Sequence, residues 1–270
     1  MSEMLLDELF DSYCSLTDAL KAINSDDGGF TELQSIVDLM GQTIDKMIDS
    51  ISPDDELTLL NYKIINLERK LSKNELEYYL PACKSDYTEC WDLLSEDSQT
   101  LLLTAFCLSN LLKSKGGDCS PALIEFAKSV ETELLAKVFI PYAEDYLNHP
   151  KPLNEDMLGS CIMKYAADKS KSLYIPMKIM FESIGARWNT KNEFRDDLVS
   201  YMWSQKWDPA INKARNKFVS PGLAYAETYR NPSAHKVVPD DSALVSCKDA
   251  TRKLIRTLIK ASPNSPYPHE

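Results

Sequence analysis

The chain has 270 residues, of which 44% are hydrophobic and 26% are charged, and its formal net charge at pH 7 is −11. This balance is typical of a globular protein with a sizeable apolar core, and it excludes a fibrous or low-complexity chain. No stretch approaches the roughly 20 uncharged apolar residues of a membrane span. The acidic N-terminus lacks the basic region of a signal peptide. We therefore predict a cytoplasmic protein that has no membrane association.

Cysteine usage limits the chemistry further. The chain contains seven cysteines and three histidines, without a C-x-x-C pair or the spacing of zinc ligands. Reduced, buried thiols therefore fit better than a disulfide framework or a zinc site. No glycine-rich phosphate loop is present either. The sequence predicts no metal and no cofactor.

The charge is unevenly distributed along the chain. Residues 1–60 contain fourteen acidic and two basic side chains, whereas residues 211–260 contain ten basic and four acidic ones. An RNA-facing surface needs a basic excess of this kind. The acidic N-terminal part would then shield that surface or bind a basic partner. The alternative is that both regions are ordinary solvated faces.

Scarce glycine and abundant helix-forming residues predict an all-α protein. Residues 3–23 carry apolar side chains at helical spacing. Ser52 and Pro53 have the residue types of an N-cap and a first helical position, so they are predicted to begin another helix. The stretch Tyr79–Cys83 contains Pro81 and is predicted to interrupt the helical pattern.

The later helices have clearer signals. Ser95–Lys113 is predicted to be an apolar core helix, and Ser120–Tyr146 begins with a serine and a proline. Ser220–Gly222 is predicted to be a turn. The last helix, Ser242–Ile259, combines an apolar stripe with a basic side.

The stretch Tyr229–His235 contains the candidate catalytic residues. His149 and His269 lie in proline-rich surroundings, which leaves His235 as the histidine in a helical, partly apolar context. A histidine side chain titrates near neutral pH and suits proton transfer. The planar guanidinium of Arg230 can hold a phosphate. If the two side chains converge, they form a phosphodiester-handling pair; otherwise they are a helix-capping arginine and a half-buried histidine.

Helix geometry bears on that convergence. Five residues of ideal helix rotate by about 500°, which would point Arg230 and His235 roughly 140° apart. Pro232 either begins a new helix with Asn231 as its N-cap or kinks a helix that began earlier. We favour the first arrangement, because it lets Arg230 turn toward His235.

Two stretches resemble a known family. Arg230-Asn231-Pro232-Ser233-Ala234-His235 resembles the Arg-x4–6-His motif of the HEPN superfamily. Residues 118–131 resemble the opening helix of a subset of bacterial HEPN proteins. The resemblance covers about residues 118–261, with a larger insert than usual between the first helix and the motif. Val237 replaces a tyrosine of the nucleotidyltransferase-paired subgroup, which argues against that toxin–antitoxin arrangement.

The resemblance implies a C-terminal up-and-down helical bundle over residues 118–262. Residues 1–117 are then an acidic N-terminal helical extension that regulates the protein or recruits a protein partner, and residues 263–270 form a disordered tail. HEPN domains commonly dimerise, so the resemblance implies a homodimer or higher homo-oligomer in which two motifs meet.

The implied activity is that of a metal-independent endoribonuclease. His235 would be the general acid and base, Arg230 would stabilise charge on the scissile phosphate, and Asn231 would orient the site. Lys236, Arg252 and Arg256 are predicted to bind the RNA substrate. An effector in bacterial antiphage or stress defence fits this activity. The alternative is a non-catalytic HEPN-like subunit for dimerisation or adaptor function.

Two further sets of residues have alternative interpretations. Glu131 and Glu133 point to different helix faces, so they cannot act as a paired carboxylate site. Either could still face the motif from a neighbouring helix, and the alternative is structural ion pairing. The second set could clamp single-stranded RNA or belong to the core and interfaces; it comprises Trp188, Trp203 and Trp207 with Arg187, Arg195, Lys206, Lys213 and Arg215.

Overall fold

In a computed structural model of the chain, the described residues are 12–13, 15–16, 30–50, 71, 73–115, 119–153, 156–168, 172–185, 193–212, 217–230, 241–263 and 265–267. Every regular element among these residues is helical, which confirms the predicted all-α class. None of the helices within these ranges has the length and apolar character needed to cross a membrane.

The chain divides into two compact units, Met1–Lys70 and Leu71–Glu270. Helix α1, Phe30–Ser50, belongs to the first unit. Val37 and Ile44 are buried and lie on one side of this helix, as expected from their spacing.

The second unit contains nine longer helices within the described ranges: α2 Lys73–Asp86, α3 Glu96–Lys115, α4 Ser120–Leu134, α5 Ile140–Asn148, α6 Met157–Ala167, α7 Met177–Ile184, α8 Glu193–Ser204, α9 Val219–Tyr225 and α10 Asp241–Ala261. Two wide π-helical turns continue α4 and α9, over Leu135–Phe139 and Ala226–Arg230. Short 3-10 turns lie at Trp91–Leu93 and Pro209–Asn212.

Helices α3 and α4 form an antiparallel hairpin at the centre of this unit. Ser95 caps α3 by accepting the Ser98 backbone N–H at 3.3 Å. The Ser98 hydroxyl donates to the Ser129 carbonyl on α4 at 3.3 Å. Nearly every side chain of α4 is buried, because α3, α10 and the turn Ala226–Arg230 all pack against it.

The unit boundary differs from the predicted one. The sequence assigns residues 71–117 to the N-terminal extension, yet α2 and α3 lie in the same compact unit as the C-terminal helices. The physical reason is the apolar character of α3. Leu102, Ala105 and Leu108 are fully buried in this packing, which a separate extension could not provide.

Two predicted interruptions are helical in the structure. Helix α2 continues through Pro81, and α9 includes Ser220, Pro221 and Gly222. Pro221 lies in the first turn of α9, where a backbone N–H would have no partner within the helix, so its ring is tolerated. At Gly222 a Cβ atom would lie 2.1 Å from Cε1 of Phe181. The glycine therefore permits close packing of α9 on α7.

No disulfide joins the described cysteines, and most of them are buried. Burial raises the pKa of Cys83 and of Cys247 to about 12. These residues confirm the prediction of reduced, buried thiols, whereas Cys14 lies outside the described residues.

Candidate functional site around Arg230

The backbone that carries Arg230 is firmly held. The residue ends the wide turn Ala226–Arg230, which extends α9. Just before this turn, the buried Tyr225 hydroxyl lies 2.6 Å from the Thr251 hydroxyl of α10. Burial raises the pKa of Tyr225 well above its usual value, so this hydroxyl stays protonated. Wide helical turns of this kind occur frequently at functional sites.

The side chain of Arg230 meets a carboxylate from α4. Its Nε donates to Oε2 of Glu131 at 2.9 Å, and the two residues are 99 positions apart in the sequence. The Arg230 side chain is 26% exposed and the Glu131 side chain is 11% exposed. The Nε contact uses one of the guanidinium donors, and no described residue bonds to the terminal nitrogens. With respect to these residues, Arg230 is oriented but not saturated.

Glu133 has a different role from Glu131. Its Oε2 accepts the Ser95 backbone N–H at 3.1 Å and the Ser95 hydroxyl at 2.9 Å, next to the start of α3. Lys137 lies 3.6 Å from the other carboxylate oxygen. Of the two alternatives left by the sequence, Glu131 faces the motif arginine, and Glu133 joins α4 to the start of α3.

The predicted RNA-binding residues Arg252 and Arg256 lie on α10 and face the end of α2 and the turn that follows it. Arg252 Nη2 donates to Asp249 at 2.7 Å, and Arg256 Nε lies 3.9 Å from Glu89. Lys248 and Lys260 complete a ladder of cations along this face. We call these four cations with Asp86, Glu89 and Asp249 the α10 ladder. The cations of the ladder pair with these carboxylates, whereas Arg230 pairs with Glu131.

The predicted residues Asn231, His235 and Lys236 lie outside the described residues, as does Pro232. Among the tryptophans, Trp207 is buried in the core. Trp203 is half-exposed and donates through Nε1 to Asn212 at 3.1 Å. Arg195 pairs with Glu182 at 3.3 Å. Trp188, Arg187, Lys213 and Arg215 are outside the described part of the chain.

One neighbour of the site was not predicted. Lys178, in the first turn of α7, lies 3.3 Å from Glu227 in the wide turn that carries Arg230. Sequence spacing could not identify this pair, because its partners are 49 positions apart. The local signal that the sequence offered was the position of Lys178, a basic residue at the start of a helix directly after Pro176 and Met177.

The donor set around Arg230 is suited to an anion rather than to a cation. A partly exposed guanidinium with open terminal nitrogens offers paired N–H donors of the geometry that phosphate accepts. Within the described residues, no group of three or more His, Cys, Asp or Glu side chains has an arrangement that could hold a metal ion.

Comparisons of the chain with protein-family models, with curated proteins and with solved structures gave no match.

Proposed function

We propose that this protein is a metal-independent endoribonuclease of the HEPN type, and that it acts in bacterial antiphage or stress defence. His235 takes the proton from the 2′-OH of RNA, and the 2′-oxygen then attacks the adjacent phosphorus. The bond from phosphorus to the 5′-oxygen breaks, and this leaving oxygen takes up the proton that His235 removed. The products are a 2′,3′-cyclic phosphate and a free 5′-OH. Asn231 orients the reacting groups.

The observation that supports this proposal best is the contact with Glu131 that orients the Arg230 guanidinium. An arginine free in solution must lose side-chain entropy to hold a phosphate. Here the Nε contact with Glu131 already restrains the guanidinium, and within the described part of the chain its terminal nitrogens are open to the phosphate oxygens. Preorganised donors of this kind stabilise the charge that develops in the transition state.

The carboxylate of Glu131 also has a cost for this chemistry. It partly neutralises the guanidinium and would repel a phosphate placed on the same side. Because the Glu131 side chain is only 11% exposed, a ligand approaching from solvent meets the guanidinium first. The contact with Glu131 therefore orients the arginine, although it lowers the positive charge that a phosphate meets there.

Two copies of the motif are needed in the proposed active form. Each protomer of a homodimer contributes one Arg230 and one His235 to a shared groove, in line with the resemblance. The acidic N-terminal region, residues 1–60, recruits a basic partner that controls the activity. Sedimentation or light scattering should give the mass of a dimer or larger oligomer, and an exclusively monomeric active enzyme would contradict the shared site.

A second candidate function is a non-catalytic adaptor of the same fold. The observation that favours it is the α10 ladder, in which the basic residues predicted to bind RNA already meet acidic side chains of this chain. A surface neutralised in this way attracts nucleic acid less strongly than the sequence implies. The adaptor would bind a protein partner and leave RNA intact.

A cleavage assay separates the two candidates. The full-length protein is incubated with end-labelled single-stranded RNA in EDTA, and the product ends are identified by mass spectrometry. We expect cyclic-phosphate ends from the wild type, and a loss of at least about a hundredfold in rate for His235→Ala. His149→Ala is the matched control, because His149 is an exposed histidine paired with Asp145 at the end of α5.

Two results would contradict the nuclease. Intact RNA after prolonged incubation with the wild type would favour the adaptor. Equal cleavage by His235→Ala and by the wild type would remove His235 from the mechanism. RNA with a single 2′-deoxy position at the cleaved bond should resist cleavage there, because the attacking hydroxyl is missing.

A further inference from the structure

A surface groove of about 690 Å³ lies between α6 and the segment that leads into α7. Lys164 and Tyr165 line it from α6, and Tyr174 and Pro176 line it from the other side. Tyr174 is 67% exposed, so its ring is accessible to a ligand.

The lining of the groove has a distinct chemistry. Among the described residues that line it, Lys164 is the charged one and is exposed, and none is acidic. Serine hydroxyls and the Cys161 thiol supply the remaining polar groups. Burial raises the pKa of Cys161, so this thiol is neutral at physiological pH. In a chain with a net charge of −11, a groove whose described lining has one cation, two tyrosines and no carboxylate is electrostatically suited to an anionic, aromatic ligand.

The groove lies beside the structure that carries Arg230. Pro176 immediately precedes α7, and Lys178 in the first turn of α7 pairs with Glu227 at 3.3 Å. Glu227 belongs to the same wide turn as Arg230, and this turn packs against α7. The first turn of α7 therefore connects the groove, through Lys178 and Glu227, to the wide turn that carries Arg230.

We infer that this groove binds a stretch of single-stranded RNA next to the cleavage site. Bases stack on Tyr174 and Tyr165, and Lys164 contacts a phosphate. This inference rests on the proposed ribonuclease activity for its choice of ligand. Tyrosine faces with a neighbouring cation are the usual means of binding single strands without strict sequence preference. A duplex cannot use them, because its bases are already stacked on each other.

Binding is tested apart from cleavage, with full-length protein carrying His235→Ala so that RNA stays intact. Fluorescence anisotropy measures the affinity for a labelled single-stranded 12-mer RNA. We expect Tyr174→Ala to weaken binding about tenfold, and Tyr174→Phe to leave it within about twofold, since the ring is retained. Lys164→Gln should lower the slope of log affinity against log salt by about 0.7, as expected for one lost phosphate contact.

Further ligands check the stacking mode. A single-stranded DNA of the same sequence should bind within about threefold of the RNA, because stacking does not require the 2′-OH. A duplex RNA should bind about tenfold more weakly. Equal affinity of the Tyr174→Ala and parent proteins, equal affinity for duplex, or no binding of the 12-mer would each overturn the groove assignment.

Cys161 provides an independent readout within the groove. Maleimide labelling of the Cys161 peptide, followed by mass spectrometry, should slow at least about threefold when the 12-mer is bound. Unchanged labelling at saturating RNA would place the ligand elsewhere and overturn the proposal. The two proposals can fail separately. If RNA binds through Tyr174 but the wild type never cleaves it, the nuclease proposal is wrong. If the wild type and Tyr174→Ala cleave RNA equally well, the groove proposal is wrong.

Discussion

Two regions of this protein set basic side chains against carboxylates, and they differ in how the cations are held. Arg230 meets a single carboxylate through Nε at 2.9 Å, and that carboxylate is mostly buried. In the α10 ladder, four cations share three partly exposed carboxylates, and several contacts are long, such as Arg252 with Asp86 at 4.0 Å.

The difference shows that a count of basic residues does not describe a binding surface. Partly exposed, long ion pairs contribute little to stability and can exchange with solvent or ligand. A close contact with a largely buried partner fixes the orientation of the cation. Arg230 is therefore suited to a positioned chemical role, and the α10 ladder to a weak, salt-sensitive one.

The largest effect should come from replacing Arg230. Arg230→Lys keeps the charge but loses the planar fork and the Nε donor, so cleavage of single-stranded RNA should fall at least about a hundredfold. Arg252→Lys in the α10 ladder should change the rate less than about threefold. Arg195→Lys, in another half-buried arginine–glutamate pair, controls for a general structural effect. Similar losses for Arg230→Lys and Arg252→Lys would erase the distinction between the regions.

The stability of the two regions gives the next test. Glu131→Ala leaves Arg230 half-buried without its partner, and we expect a loss of about 2 kcal/mol in the free energy of unfolding. Glu89→Ala should cost less than about 0.5 kcal/mol, because its contacts with Arg256 and Lys260 are long and exposed. Urea unfolding followed by circular dichroism measures both values. If Glu89→Ala lowered the free energy of unfolding more than Glu131→Ala does, the α10 ladder, and not the Arg230–Glu131 pair, would hold the more firmly fixed cation.

A milder change at Glu131 separates orientation from charge. Glu131→Gln keeps an oxygen that accepts from Arg230 Nε but removes the negative charge. Binding of uncut RNA should tighten about fivefold in the His235→Ala background, because the repulsion of phosphate is lost. Glu133→Gln is the comparison, since Glu133 lies near the start of α3 and does not contact Arg230. RNA binding by Glu131→Gln that equals that of the parent protein would mean that phosphate does not approach Arg230.

The smallest effect is expected in the α10 ladder. Glu89→Gln frees part of the charge of Arg256 and Lys260, so RNA binding at low salt should strengthen less than about threefold. The gain should disappear near 0.15 M salt, because exposed charges are screened over about 8 Å. A gain that persists at this salt concentration would make the ladder a specific RNA-binding surface, and a filter-binding salt titration decides the matter.

Helix positions were largely predictable because their signals are local. The predicted helix Ser242–Ile259 is observed as α10, Asp241–Ala261, with the expected apolar stripe. The predicted helix Ser120–Tyr146 is observed as α4, a wide turn and α5. Side chains three and four positions apart share a helix face, so a single sequence shows such stripes directly.

The proline-containing segments were predicted less well. Pro81 and Pro221 both marked interruptions in the sequence, yet each lies within a helix. Tertiary packing overrides a local preference where neighbouring side chains bury enough apolar surface. Close to Pro81, Cys83 and Tyr87 are fully buried, and Gly222 beside Pro221 lets α9 pack closely on Phe181.

The amino-acid sequence by itself determined the all-α class, the main helices and the choice of Arg230 and His235 as the candidate pair. Only the tertiary structure decided that Arg230 meets Glu131, that the α10 cations meet Asp86 and Glu89, and that α2 and α3 belong with the C-terminal helices. The reason is physical. Helical periodicity depends on neighbours within a few residues, whereas an ion pair across 99 positions depends on how whole helices pack.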